Sequence, residues 1–324
     1  ELAILLGAEG EMIDYCVTYG RICLAFQTCS IVQNTFQAFF VTAEKPHLGL
    51  ILSIISGINN MILDFVFIVL CDLGIAGAAL ATGISQTIGA VVPVFYFIYK
   101  KDLNIKLGKP FFDFIPFIKG CVNGLSELFT NISASIVGML YNLTLMNLAG
   151  ENGIASYGVI LYAQFIFLAV YFGYSMGTAP IIGFNYGAKN KDELKNIFKK
   201  SIIVIGSLSI ILTLMSELLA RPISSIFVSY DEYLLDMTIR GFRIYAISFL
   251  ICGFNIFASS LFTALNNGVI SLLISIGRTF LFQILAVILL PYYFDLDGVW
   301  MSIIVSELLS LLVTAMMFSC GEKM

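Results

Sequence analysis

Four ionisable side chains stand where their neighbours are apolar. Asp64 lies in NNMILDFVFIVL (59–70), with Asn60 one helical turn before it. A carboxylate inside a bilayer-spanning helix costs about 2.5–3.5 kcal/mol, so one that persists there is read first as functional. Residues four apart share a helix face, and the acid and the amide converge on one spot. Such a pair can pass a proton or grip a sodium ion through hard oxygen ligands; the plain alternative is a hydrogen bond that packs two helices. Glu127 lies in NGLSELFTNIS (123–133), again with an amide, Asn131, four residues on. It is a candidate for a second proton step or for holding a cationic substrate, against the plain reading of a helix-end acid facing water. Arg278 in LLISIGRTFLFQI (272–284) and Glu307 in WMSIIVSELLSLL (300–312) fall midway along apolar runs. Both lie deep enough to need partners, and their depths allow them to pair. The pair is then either a lock on the fold or a contact that opens when substrate or proton arrives, and an arginine there favours anionic or zwitterionic cargo over simple cations. Asn255, Gln164 and Tyr171 are further substrate or proton candidates, although polar groups inside spans commonly glue helices at about 0.6 kcal/mol each.

The elements that must position these residues follow from composition. The chain has 324 residues, 59% hydrophobic and 12% charged, with a mean hydropathy of +0.95. A soluble domain carries about twice that charge, so this is an all-α, polytopic membrane protein. Nine apolar runs reach the ~20 residues that a bilayer core requires, near 16–41, 48–71, 74–99, 121–147, 153–178, 199–219, 239–264, 268–290 and 298–319. None alternates as barrel strands do. The seven cysteines lie in or beside apolar runs without a CxxC pair and read as buried thiols, neither disulfides nor metal ligands. The single histidine, His47, falls in a loop, so no zinc site is expected. There is no signal peptide, no Walker sequence, no nucleophile–base constellation and no nucleic-acid-binding character. An enzyme and a direct ATP-driven pump are therefore excluded, and no cofactor is expected beyond a coupling proton or sodium ion.

Lysines sort the loops. Lys45, the group from Lys100 to Lys119, the group from Lys189 to Lys200, and Lys323 all fall on one side if nine spans alternate. The other side carries Asp14, Asp72, Glu151, Asp231, Asp236, Asp295 and Asp297, with Arg21, Arg221, Arg240 and Arg243 as exceptions. By the positive-inside rule the lysine side is cytoplasmic. Sliding the chain on itself by 221 positions aligns Asn34 with Asn255, Phe36 with Phe257, Thr42 and Ala43 with Thr263 and Ala264, Gly77 with Gly298, Ser85 with Ser306 and Gln86 with Glu307. Spans one to three thus match spans seven to nine, as parallel repeats do in several transporter folds. The partners of spans four to six would precede Glu1. This divides the chain into the remainder of an N-terminal lobe (1–99, three helices), a basic cytoplasmic interfacial linker (100–120) and a C-terminal six-helix lobe (121–324).

Four stretches carry a resemblance. They are GYSMGTAPIIGFNYGAKN (173–190), LGIAGAALATGISQ (73–86), ILDFVFI around Asp64, and GVW (298–300). Together they resemble the multidrug and toxic compound extrusion (MATE) transporters, with Phe65 in place of the proline that commonly follows the aspartate. The resemblance covers essentially the whole chain as helices four to twelve of a twelve-helix, two-lobe (6+6) fold. It implies a multi-pass protein of the plasma (inner) membrane, a monomer among lipids. Its implied activity is export of amphiphilic or cationic small molecules by alternating access, driven by proton or sodium influx. It also implies that Asn60, Asp64 and Thr82 are three members of a four-residue cation site, whose fourth member would precede Glu1. A lipid-linked precursor flippase of the same superfamily, or a truncated, non-transporting remnant, is the alternative. In 173–190, Pro180 and Gly183 are expected to interrupt the helix, and Asn185, Tyr186 and Gly187 to form a turn. The abundant Phe and Tyr suit either a cation–π cleft or a lipid-facing surface.

Overall fold

The structure is a computed structural model that describes residues 10–100, 108 and 113–321. Every regular element among them is helical, and the chain divides into two compact units, Glu1–Phe111 and Phe112–Met324. Of the linker expected at 100–120, residues 101–107 and 109–112 lie outside the described residues, as does Lys323, and residues 114–120 are the first of a long helix.

The first unit contains α1 (Glu11–Thr42), α2 (Pro46–Asp64) and α3 (Gly74–Tyr99). Pro46 opens α2, where its missing N–H would have had no partner anyway. Past Asp64 the helix widens into a π-helical segment, Phe65–Leu70. Helices α1 and α3 lie against one another along glycines. A Cβ at Gly83 would fall 2.2 Å from the Phe26 ring, and one at Gly89 would fall 2.5 Å from Gln33. Small residues admit this closeness where no hydrophobic driving force acts between helices. Phe36, Phe40, Ala43 and Phe97 form the core of this unit, with ring centroids of Phe36 and Phe40 at 5.3 and 5.2 Å from Phe97. Gln37 Nε2 donates to Ser53 Oγ at 2.6 Å and ties α1 to α2.

The second unit contains α4 (Phe114–Gly187), α5 (Lys191–Val228), α6 (Glu232–Ala246), α7 (Phe249–Ala264), α8 (Gly268–Ile276) and α9 (Phe282–Gly321). A π-helical segment, Gly277–Leu281, joins the last two. The 74 residues of α4 would measure roughly 110 Å if straight, but the backbone breaks at Gly150 (φ 61°). Tyr141 and Tyr157 stack at 4.8 Å across the break, so α4 is a helical hairpin. A second break at Asp295 (φ 48°) does the same to α9, where Ser306 Oγ donates to the Arg278 carbonyl at 2.8 Å. Both breaks fall between runs separated in the sequence. Helices α6 and α7 meet at a bend of 50°. The core here is aromatic, with Tyr141, Tyr171, Phe249 and Trp300 almost wholly enclosed.

Length and composition alone give five helices fit to cross a membrane, or six with the bent pair, against the nine runs expected. The hairpins account for part of the difference, since each counts as one helix. Helix α1 is absent from that set because Asp14, Arg21 and a row of amides dilute its apolar residues. Two other expectations change. Pro180 and Gly183 do not interrupt α4, which runs on to Gly187. Thr178 and Asn185 bond back to the Tyr174 and Ile181 carbonyls at 3.0 and 2.9 Å, and membrane helices tolerate a proline in mid-span. The turn comes at 188–190 instead, where Asn190 accepts from the Glu193 N–H and caps α5. Of the cysteines described, all are free but only Cys252 is buried; Cys16, Cys71 and Cys121 are exposed. Burial, expected for these thiols from their apolar surroundings, holds for Cys252 alone, because apolar residues beside the exposed cysteines, such as Tyr15, Leu70 and Val122, face outward with them.

The internal repeat has a structural counterpart. After α1 the N–H groups of Ala43, Glu44 and Lys45 donate to Phe39, Val41 and Phe40; after α7 those of Leu265, Asn266 and Asn267 donate to Leu261, Thr263 and Phe262. The two turns are the same, displaced by one residue from the 221 offset. Gly74 (φ 51°) and Asp295 (φ 48°), which that offset pairs, both take the left-handed conformation at the entry to the following helix.

Candidate functional site

In the first unit Asn60 on α2 faces Thr82 on α3. The amide Nδ2 donates to the threonine Oγ1 over 3.5 Å, and that hydroxyl donates on to the Ala78 carbonyl at 3.0 Å. Both side chains line a cavity of about 360 Å³ whose other polar walls include Asn34, Ser56, Ser85 and Gln86, all uncharged. Ser56 Oγ donates to the Ser85 carbonyl at 2.8 Å and Asn59 Nδ2 to the Ser85 hydroxyl at 3.1 Å, closing the floor. Asp64 sits half-buried at the last α-helical residue before the π turn. Among the described residues its carboxylate makes no hydrogen bond or ion pair, and it is not part of the cavity wall. The structure therefore brings Asn60 and Thr82 together and leaves Asp64 one turn away. π segments recur at functional sites because they re-aim the side chains around them.

In the second unit Glu307 is the central polar group. Its Oε2 accepts from Asn255 Nδ2 at 2.7 Å, and the same amide also reaches the Glu307 carbonyl at 2.9 Å. Thr314, two turns further along α9, donates to Asn255 Oδ1 at 3.3 Å. Arg278 approaches from the π segment, with Nη1 3.8 Å from Glu307 Oε1 and side-chain exposures of 13% and 6%. That distance is an ion pair without a hydrogen bond. Arg278 and Glu307 line a cavity of about 360 Å³ together with Asn131, Gln164, Tyr157 and Phe172. Arg278 also borders a small adjoining space of about 60 Å³ that Glu127 and Ser175 line. Glu127 and Asn131 are exposed, and the Asn131 amide donates to the Glu127 carbonyl oxygen at 2.8 Å instead of to its carboxylate. Tyr171 points away from this cavity; its hydroxyl donates to the Phe249 carbonyl at 2.7 Å and meets Ser209 Oγ at 3.1 Å.

Five of the seven residues singled out in this region thus share one cavity system, with Asn255 behind Glu307 and Tyr171 bracing the α6–α7 bend. Two contributors escaped the sequence reading. Thr314 was signalled only by its seven-residue spacing from Glu307, which keeps it on the same helix face. The hydroxyl cluster of Ser259, Thr263, Ser271 and Ser275, linked at 2.8–3.1 Å, was signalled by four-residue pairs on α7 and α8. No group of three or more His, Cys, Asp or Glu side chains among the described residues could hold a metal.

An all-helical chain with such long apolar helices and polar groups gathered in their interior is a multi-pass membrane protein. The profile of the MatE family matches residues 128–289, half of the sequence, and the chain belongs to this family of multidrug efflux transporters. The multidrug export protein MepA of Staphylococcus aureus (strain bovine RF122 / ET3-1) is 26% identical over 317 residues, covering 95% of this chain and 67% of MepA. MepA of Staphylococcus saprophyticus is 25% identical over 304 residues, covering 93% of this chain and 64% of its own. The chain spans about two thirds of the length of these relatives. Among solved structures, a MATE protein crystallised with MaL6 superposes with a TM-score of 0.90 at 22% identity, over 98% of this chain and 73% of that one. An outward-facing multidrug resistance MATE transporter of the MOP superfamily also gives 0.90, at 21% identity, over the same shares. A MOP superfamily transporter from Pyrococcus furiosus gives 0.89 at 22% identity, over 97% and 71%.

Proposed function

We propose that the chain works as a secondary active antiporter that exports amphiphilic or cationic small molecules by alternating access, driven by inward proton or sodium flow. In this reading it makes nine spans, because the α4 hairpin, the α8–α9 hairpin and the bent α6–α7 pair supply five and α1, α2, α3 and α5 supply four. These stand for helices four to twelve of a two-lobe fold, in a monomer surrounded by lipid. The 1–99 segment then belongs to one lobe and 121–324 to the other.

The observation that carries the coupling role is the state of Asp64. A buried or half-buried acid in an apolar helix ordinarily finds a partner. This one has no hydrogen bond or ion pair among the described residues, beside a π turn and one turn from the Asn60–Thr82 pair. A proton or a sodium ion is the missing counterpart. Ion and cargo then exclude one another because each favours a different state of the transporter.

The test is efflux of ethidium from vesicles carrying the product of the complete gene, under an imposed proton or sodium gradient. Asp64→Asn is expected to insert normally and to lose gradient-driven efflux, while Thr82→Ala weakens it. Unchanged gradient-driven efflux in Asp64→Asn would refute the assignment.

A further inference from the structure

Arg278 is a largely enclosed cation of the second unit whose donors are unused. A guanidinium offers five N–H donors, and among the described residues none makes a hydrogen bond; its ion-pair partner there is Glu307, at 3.8 Å, while Glu127 lines the small adjoining space with it. Glu307 itself is held from behind by the 2.7 Å bond from Asn255, so it is fixed short of closing on the arginine. Buried cations need acceptors as well as a countercharge, and the cavity that Arg278 lines is where acceptors can enter. Its remaining wall is largely aromatic and aliphatic, with Tyr157, Leu161, Phe165, Leu168 and Phe172. The wall also holds one polar atom left over, Gln164 Oε1, buried without a hydrogen-bond partner among the described residues. The site thus sets a fork of donors and an unbonded acceptor against aromatic and aliphatic side chains.

We propose that this cavity binds an amphiphile through a carboxylate, or another oxyanion, seated on Arg278, with its apolar body against the aromatic wall. Arginine suits this because its planar fork matches carboxylate geometry with two parallel bonds. The ligand's oxyanion competes with Glu307 for the same guanidinium, so occupancy loosens the Arg278–Glu307 pair. The inference deepens the transport reading by naming a cargo class, and it rests on that reading only for the step from binding to export.

Binding of 1-pyrenebutyrate and of its uncharged methyl ester to the full-length protein in phosphatidylcholine nanodiscs tests it. The acid is expected to bind at least about tenfold more tightly than the ester, the scale of a charge-assisted fork. Arg278→Gln should erase that preference while leaving ester binding unchanged. Glu307→Gln, which keeps the bond to Asn255 and removes the competing charge, should tighten acid binding, and it serves as the test if Arg278→Gln fails to fold. Equal binding of acid and ester by the wild type, or weaker acid binding in Glu307→Gln, overturns the proposal. Repeating the titration with an anionic phospholipid in the nanodisc separates sources: displacement of the acid supports the oxyanion site with a lipid headgroup as its occupant. Ethidium efflux by the same preparation keeps the two readings apart. Acid binding without any efflux refutes transport alone, and efflux without acid preference refutes this site alone.

Discussion

In the 221-position repeat of the sequence, Asn34 and Gln86 on α1 and α3 pair with Asn255 and Glu307 on α7 and α9, yet the two pairs do different things. In the second unit the amide and the carboxylate bond at 2.7 Å, Arg278 stands beside them, and Glu307 is enclosed. In the first unit both amides line an open cavity and make no side-chain hydrogen bond among the described residues. Exchanging a carboxylate for an amide, and Arg278 for Gly57 at the matching position, removes the charge that draws one helix onto the next. The same three-helix plan therefore puts a charged pair in the wall of one copy's cavity and uncharged amides in the wall of the other's. A repeat fixes where interior side chains meet, and their chemistry decides what the meeting place can hold.

The comparison can be broken most forcefully at the charges. Arg278→Leu strands a buried carboxylate and is expected to cost about 3–5 kcal/mol of stability, measured by equilibrium unfolding in mixed micelles. The double change Arg278→Leu with Glu307→Leu should recover most of that loss, and Gln86→Leu at the matching place should shift stability by less than about 0.5 kcal/mol. A double variant no better than the single one would show that the pair is not the source of the cost. Next come the two glycines that open the third helix of each copy. A Cβ at Gly298 would lie 2.4 Å from the Leu290 carbonyl oxygen, whereas one at Gly77 meets the Phe67 Cβ at 3.0 Å. Gly298→Ala is expected to cost about 2–3 kcal/mol and Gly77→Ala about 1 kcal/mol; equal melting of the two variants would remove this asymmetry. The last comparison concerns the amides. Asn255→Ala removes the bond that holds Glu307 and should cost about 1–3 kcal/mol, against nearly nothing for Asn34→Ala in the same unfolding assay.

Much of this arrangement is legible in the residues. The break at Gly150 falls in a short gap between apolar runs, beside Glu151, and the break at Asp295 falls in a turn-rich DLDG. Arg278 and Glu307 announce their meeting because neither can face lipid alone at that depth. The π segments are not legible, since FVFIVL and GRTFL contain nothing that separates an i→i+5 ladder from an i→i+4 one. The bend between α6 and α7 is hidden for another reason. Its 246–250 stretch, AISFL, holds neither proline nor glycine, and the geometry is held from outside by the Tyr171 hydroxyl on the Phe249 carbonyl. Pro180 misleads in the opposite direction, because a membrane helix tolerates in mid-span a proline that a local rule reads as a break. Asp64 is legible as an anomaly, but its distance from the cavity wall is a tertiary fact that spacing along α2 does not contain.

The widened turn at Gly277–Leu281 makes this helix unusually forgiving of a change in its length. A ladder of i→i+5 bonds stores one residue more than an ordinary turn needs. Deleting Thr279 would let the surrounding stretch close into a regular coil without rotating the residues beyond it, whereas the same excision elsewhere in α8 or α9 would swing every later side chain roughly 100° around the axis. The segment that carries the arginine is thus also the place where evolution can shorten the chain while leaving Glu307 where it is.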